Sequence, residues 1–320
     1  MYTTITYTAL VSSFFISIAV NYYFIYQWKN KSKSFIDYPD SRKSHKCPTL
    51  LLGGVGIYSS FTVIDLFFNW IPKGILIGGA VMFLTGLLDD YLKGKKIGLS
   101  VLGKSIGISL SIVISYIFDV RITSIYIPFL QRKVTLDVTL QFILTFIWFF
   151  AIVTFINFLD GLDGLAGTVS VIVLVSFMIT SFLEDNLSLA LVCILSIFSI
   201  LGFLVFNVSH AKIFMGDSGA LFIGYLLAVI SIQGYLKTIV FQTSIIPVIA
   251  LALPIFDNIY VFIQRLSKGK KIYQADRLQS HLKMQDMGYS KEQTYITLVL
   301  ITLFFSIVAT AIAVLEFKKR

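Results

Sequence analysis

Carboxylates at the edges of apolar runs are the first residues of this chain that could do chemistry. Asp89 and Asp90 stand side by side in "GLLDDYLKGKK", at the end of one such run. Adjacent carboxylates repel, so a pair of this kind is held near a cation or shares a proton. Lys93, Lys95, Lys96 and Lys104 lie close by and supply charge suited to phosphate oxygens. A solvated helix end is the plain alternative. In "NFLDGLDGLAG", Asp160 and Asp163 are three apart, so on a helix they share a face that Asn157 extends. Gly161, Gly164 and Gly167 allow close approach of backbone or ligand. A polar turn would explain the same residues, although an acidic turn beside lipid is costly without a use. Asp217 in "AKIFMGDSGALFIGY" opens an apolar helix, either as its N-cap or as a ligand for a hard divalent cation, magnesium or manganese. Asp257 in "LPIFDNIY" falls inside an apolar run, where an ionisable group is functional or paired with a neighbouring helix. His281, between Arg277 and Lys283, is a lone histidine in a polar stretch, a setting that usually means solvation.

The elements that must hold these groups are set by composition. The chain is 57% apolar and 13% charged, with a mean hydropathy of +0.85. Soluble domains carry roughly 25% charged residues, so a soluble fold is excluded and an all-α integral membrane protein is expected. Candidate spans are ~5–27, ~50–70, ~72–88, ~99–118, ~138–156, ~165–183, ~186–206, ~219–236, ~240–263 and ~294–315, about ten helices in all. They form one polytopic domain over residues 1–320, with 264–293 as a long cytoplasmic loop. No charge occurs before Lys29, and the basic cluster follows the first apolar run, so that run reads as a retained span and not a cleaved signal.

Lys29, Lys31, Lys33, Arg42, Lys43 and Lys46 place the first loop in the cytoplasm and the N-terminus outside. Counting spans then puts all the acid-rich and glycine-rich stretches on the cytoplasmic face, where chance would divide them between faces. The closing "EFKKR" falls outside, against the rule. The outer connection 119–137 contains "RITSIYI" and "RKVTLDV", which suggest a short β-hairpin. The net charge of +9 reads as loops facing anionic lipid, with no nucleic acid partner. Cys47 and Cys193 are far apart and read as inert thiols, and His45, His210 and His281 are too scattered to mark a metal site. Together these features describe a cation-dependent site at the cytoplasmic membrane surface, with lysines for a pyrophosphate and a lipid as one substrate.

As an ordered set, "IDYPDSRKSHKCPTLLLGG", "GLLDDYLKGKKIGLSVLGK", "NFLDGLDGLAG", "FNVSHAKIFMGDSGALFIG" and "LPIFDN" resemble the polyprenyl-phosphate N-acetylhexosamine-1-phosphate transferase family. The similarity runs from about residue 37 to about residue 295. The resemblance implies a multi-pass bacterial plasma-membrane enzyme that moves a sugar-1-phosphate from a UDP-N-acetylhexosamine to undecaprenyl phosphate, releases UMP and starts cell-surface polysaccharide synthesis. It further implies Asp89 or Asp90 as base or orienter of the carrier phosphate, Asp89 being favoured. Asp217 would bind magnesium with Asn157 close to it, and manganese could replace it. Asp160 and Asp163 would face the nucleotide, Phe214 stack on uracil, Lys104 meet phosphate and Asn207 line the pocket. Arg42 and His45 fit the first loop of the pattern, and a homodimer is compatible with it. Two departures stand out. "QSHLK" replaces a histidine-rich run, leaving His281 and Lys283, and His210 replaces a proline before "AKIFMGD". The inner loop helps select the sugar in the family, so the hexosamine stays open.

A polytopic secondary transporter would also place acids among ten helices, but near the bilayer midplane and not at one face. A CDP-alcohol phosphatidyltransferase is disfavoured, because Gly167 and Thr168 stand where that motif needs Ala-Arg.

Overall fold

Long apolar runs with their breakers confined to the connections fold here as a helical bundle. The computed structural model describes residues 2–28, 34–39, 47–127, 132–208, 210–236, 241–267 and 279–318; Arg42 and His45 lie outside them. The helices are α1 (Tyr2–Tyr23), α2 (Gly53–Phe68), α3 (Lys73–Gly94), α4 (Val101–Ile117), α5 (Val138–Leu159) and α6 (Leu165–Leu183). They continue with α7 (Leu187–Asn207), α8 (Gly216–Ser231), α9 (Phe241–Ala250), α10 (Ala252–Ser267), α11 (Ser280–Asp286) and α12 (Lys291–Phe317). Four short strands accompany them: β1 (Ile36–Asp37) pairs antiparallel with β2 (Thr49–Leu50), and β3 (Ser124–Ile127) with β4 (Arg132–Thr135). The second pair is the hairpin expected within 119–137.

The chain is an all-α integral membrane protein. Among the described residues seven helices are long and apolar enough to cross a membrane, fewer than the ten expected. The difference has local causes. α2 and α4 are apolar but only 16 and 17 residues long. The ~240–263 run is interrupted at Leu251, three residues before Pro254, which has no N–H to offer the carbonyl four positions back. The 264–293 loop is not all loop either: α10 runs into it, α11 lies within it, and α12 starts at Lys291.

Every residue of α8 is buried, and α8 packs against α2, α3 and α5. Around it, α12 turns Leu300, Phe304 and Ile307 outward. An apolar surface toward lipid gives no hydrophobic drive between helices, so close packing and interhelical hydrogen bonds must supply it. Ser111 Oγ donates to the Gly78 carbonyl at 2.7 Å, and Ser115 Oγ meets the Tyr225 hydroxyl at 2.9 Å, tying α4 to α3 and α8. Trp148 Nε1 donates to Ser231 Oγ at 2.8 Å, tying α5 to α8. At Gly86 the backbones of α3 and α8 nearly touch: a Cβ there would lie 2.5 Å from the Asp217 carbonyl carbon and from Ser218 Cα. That crossing brings the Asp89–Asp90 end of α3 to the start of α8.

Candidate active site

α3 continues one turn past the acid pair, to Gly94, so Asp89, Asp90 and Lys93 all sit on helix. Consecutive residues on a helix point about a quarter-turn apart, and the two acids accordingly find different partners. Asp90 is fully buried, and its two oxygens accept the backbone N–H groups of Asp217 at 2.8 Å and Ser218 at 2.9 Å. These belong to the first turn of α8, whose N–H groups have no partner within the helix. Asp90 therefore caps α8 from another helix, and Asp217, which could have been the N-cap, is left with its carboxylate free for other partners. Asp217 Oδ1 accepts Lys93 Nζ at 2.6 Å, and its Oδ2 accepts Lys104 Nζ. Both ammoniums also reach Asp89 Oδ2, Lys93 at 3.1 Å and Lys104 at 3.4 Å, while Asp89 Oδ1 accepts Leu99 N–H at 2.7 Å. Two carboxylates and two ammoniums thus alternate in a closed four-membered arrangement built from α3, α4 and α8.

A cavity of about 560 Å³ opens beside this cluster. Lys93 and Asp217 form one wall, and Asp160, Gly161, Leu162 and Asp163 another. Asn207 at the end of α7, Phe214 in the connection and Gly216 at the start of α8 add a third side, and Gln279, which caps α11, adds a fourth with His281 and Leu282. Asp160 and Asp163 do reach the cavity, but not from one helical face. α5 ends at Leu159, with Asp160 as its C-cap, and Gly164 at φ 75° turns the chain into α6. Few residues other than glycine adopt that backbone angle readily. Asn157 stays on α5, one turn back, and does not line the cavity. Asn207 clamps the two neighbouring connections: its Oδ1 accepts Gly164 N–H, and its Nδ2 donates to the Ile213 carbonyl, both at 2.8 Å. Asp163 Oδ2 accepts Ala211 N–H at 3.4 Å, a longer tie between the same segments. Burial, and the neighbouring carboxylates of Asp90 and Asp163, raise the Asp160 carboxyl well above the usual range, against the pull of Lys93.

Could a divalent cation be held here? No three histidine, cysteine or acidic side chains converge among the described residues. Asp89 and Asp217 nevertheless offer hard oxygens around a place that two ammoniums now share. One or two carboxylates completed by waters and substrate phosphates is the usual setting for magnesium, and the donor set fits that pattern.

Residues 73–235, just over half of the chain, match the family model described as glycosyl transferase family 4. The chain belongs to glycosyl transferase family 4. Within the curated members of wider similarity, it is 29% identical over 279 residues to a probable undecaprenyl-phosphate N-acetylglucosaminyl 1-phosphate transferase of Bacillus subtilis, covering 86% of this chain and 76% of the relative. It is 28% identical over 284 residues to a phospho-N-acetylmuramoyl-pentapeptide-transferase of Listeria innocua, covering 84% and 85%. It is 26% identical over 282 residues to an undecaprenyl-phosphate alpha-N-acetylglucosaminyl 1-phosphate transferase of Thermotoga maritima, covering 87% and 81%. This family 4 chain also brings to its cavity residues that motif reading passed over. Lys93 was visible only as one of several lysines, and its bridging place follows from the extra turn of α3. Asp37 and Gln279 line the cavity as well; Asp37 stands inside the first motif, and no local signal marks Gln279.

Proposed function

We propose that this protein transfers N-acetylhexosamine-1-phosphate from a UDP-linked donor to undecaprenyl phosphate at the cytoplasmic face of the bacterial plasma membrane, releasing UMP. The observation that carries the reading is the alternating cluster of Asp89, Lys93, Asp217 and Lys104, of which Lys93 and Asp217 face the cavity while Asp89 and Lys104 stand behind them. Relatives that act on undecaprenyl phosphate support the acceptor. The gathering of acids at one end weighs against a transporter, whose site would lie near the midplane.

In this reading Lys93 and Lys104 leave the carboxylates to take oxygens of the donor pyrophosphate, as ammoniums do for phosphates. Asp217 and Asp89 are the residues that would hold a magnesium or manganese ion. A bound divalent cation would offset charge that builds on the pyrophosphate as its bond breaks. Asp89 accepts the remaining proton of the lipid phosphate or fixes its orientation, and that phosphate attacks the sugar-bearing phosphorus while UMP departs. Asp90 keeps α8, and so Asp217, in place. Asp160, Asp163 and Asn207 shape the nucleotide end, with Phe214 stacking on the base and His281 closing the opposite wall.

Purified protein supplied with undecaprenyl phosphate, magnesium and a panel of UDP-sugars should release UMP with at least one of them. Undiminished release in excess chelator, or none with any donor, would sink the proposal.

A further inference from the structure

The cavity wall contributed by α11 is held from behind. Gln279, His281 and Leu282 face the cavity, whereas Ser280 between them turns to α10. There Asp257, a buried carboxylate in an apolar segment, accepts Ser280 N–H at 2.8 Å and Ser280 Oγ at 2.6 Å through one oxygen, Oδ1. Ser280 N–H is among the first donors of α11, which have no partner inside so short a helix. A second tie runs one turn further along both helices: Lys283 Nζ donates to the Tyr260 hydroxyl and lies 4.1 Å from its ring centre. The spacing matches, 257 to 260 on α10 and 280 to 283 on α11.

What this attachment places is His281. Its side chain is buried, and its ring edge rests directly on Gly161, where any Cβ would collide with Nε2 and come within 2.9 Å of Cε1. Gly161 lies between Leu162 and Asp160 on the opposite cavity wall. His281 thus closes the gap between α11 and the acidic turn, and its seat depends on where α11 starts.

We infer that Asp257 is a positioning residue, which through Ser280 seats His281 against the Gly161 turn and so fixes the donor-side wall of the cavity. The substrate side of this inference rests on the proposed transfer reaction; its geometric side does not. A small misplacement of a substrate-positioning group is enough to cost orders of magnitude in rate or affinity.

The test uses the full-length protein and three variants. Asp257→Leu removes the acceptor, Ser280→Ala removes the 2.6 Å bond alone, and Asp257→Asn keeps an accepting oxygen at the same place. Carbethoxylation of His281 by diethyl pyrocarbonate, followed by peptide mass spectrometry, reads the seat of the ring without needing turnover. It should be slow in the wild-type protein and in Asp257→Asn, several-fold faster in Ser280→Ala, and at least tenfold faster in Asp257→Leu. In kinetics Asp257→Leu should raise KM for the nucleotide donor at least tenfold. Its kcat should stay within threefold and KM for the lipid phosphate should not change. Should Asp257→Leu fail to fold, Ser280→Ala decides by the same readouts with smaller changes. Unchanged His281 reactivity, or an equal loss for both substrates with no rescue by Asp257→Asn, overturns the inference. Absence of turnover in the wild-type protein overturns the transfer reading instead, and His281 reactivity then judges the positioning role alone.

Discussion

The carboxylate of Asp90 accepts the backbone N–H of Asp217 at 2.8 Å, so one acid of the adjacent pair sets where another site acid stands. Its neighbour Asp89 faces two lysines instead. The pair therefore divides between holding the site and doing chemistry in it.

Asp89→Asn and Asp90→Asn should consequently fail in different ways. Asp89→Asn keeps the bond to Leu99 and gives up its ion pairs to two partly exposed lysines, which should cost about 1 kcal/mol of stability or less, while turnover falls ~10²–10⁴-fold, the usual weight of a positioned base. Asp90→Asn loses one of two charge-assisted bonds to α8, which should cost about 1.5–3 kcal/mol of stability as well as activity. Thermal unfolding in detergent, run beside UMP release, separates the two.

Lys104→Met leaves Asp89 and Asp217 with Lys93 as their shared cation. KM for the UDP-sugar should rise by roughly tenfold or more, the equivalent of about 1.4 kcal/mol of lost phosphate binding. Lys104→Arg should not restore it fully, since the planar guanidinium cannot take the place of a point charge between two carboxylates. Steady-state kinetics with donor as the varied substrate reads both.

Asp160 carries the pH signature. Its carboxyl is raised in the folded protein by burial and by Asp90 and Asp163. A raised folded-state value means that its contribution to stability is complete below the unfolded range of about 3.9. That contribution is lost as pH climbs through the folded value. Asp160→Asn removes the loss. Unfolding midpoints of the variant and the wild-type protein, measured from acid to neutral pH, should draw apart upward in favour of the variant; parallel curves would refute the assignment.

His210 occupies the left-handed region at φ 74°, at the position where the resemblance leads one to expect proline. Proline is locked near −65°, so His210→Pro should destabilise by about 1–3 kcal/mol and disturb the α7–α8 connection. Glycine gains roughly 1 kcal/mol by relief of the left-handed penalty and loses ~0.5–1 through unfolded-chain entropy. The backbone terms thus nearly cancel, and the shift in unfolding midpoint of His210→Gly reads what the imidazole itself contributes.

The helical membrane class and the convergence of separate acidic motifs could be read from hydropathy and charge, and the hairpin within 119–137 from its two β-like runs. Individual roles could not, because they hang on where helices stop and on contacts between distant positions. One more turn of α3 turned Lys93 from a loop charge into a bridge between Asp89 and Asp217. α5 runs past its expected end near residue 156 but stops at Leu159, so Asp160 and Asp163 do not share with Asn157 the face that a continuous helix would give them. Asp90 finds its partners 127 and 128 positions away, a distance no local pattern spans. Asp257, by contrast, has two readings in the sequence, a functional acid or one paired with a neighbouring helix, and the structure shows the pairing, with Ser280 of α11.

α8 is the least apolar of the seven candidate spans and the most enclosed, with 94% of its window buried inside the protein. Lipid alone would hold such a segment least firmly. Its entry into the bilayer during synthesis must draw on surfaces already offered by α2, α3 and α5, all made before it. The helix that carries Asp217 is thus a late arrival, received by the elements whose acids and lysines it completes.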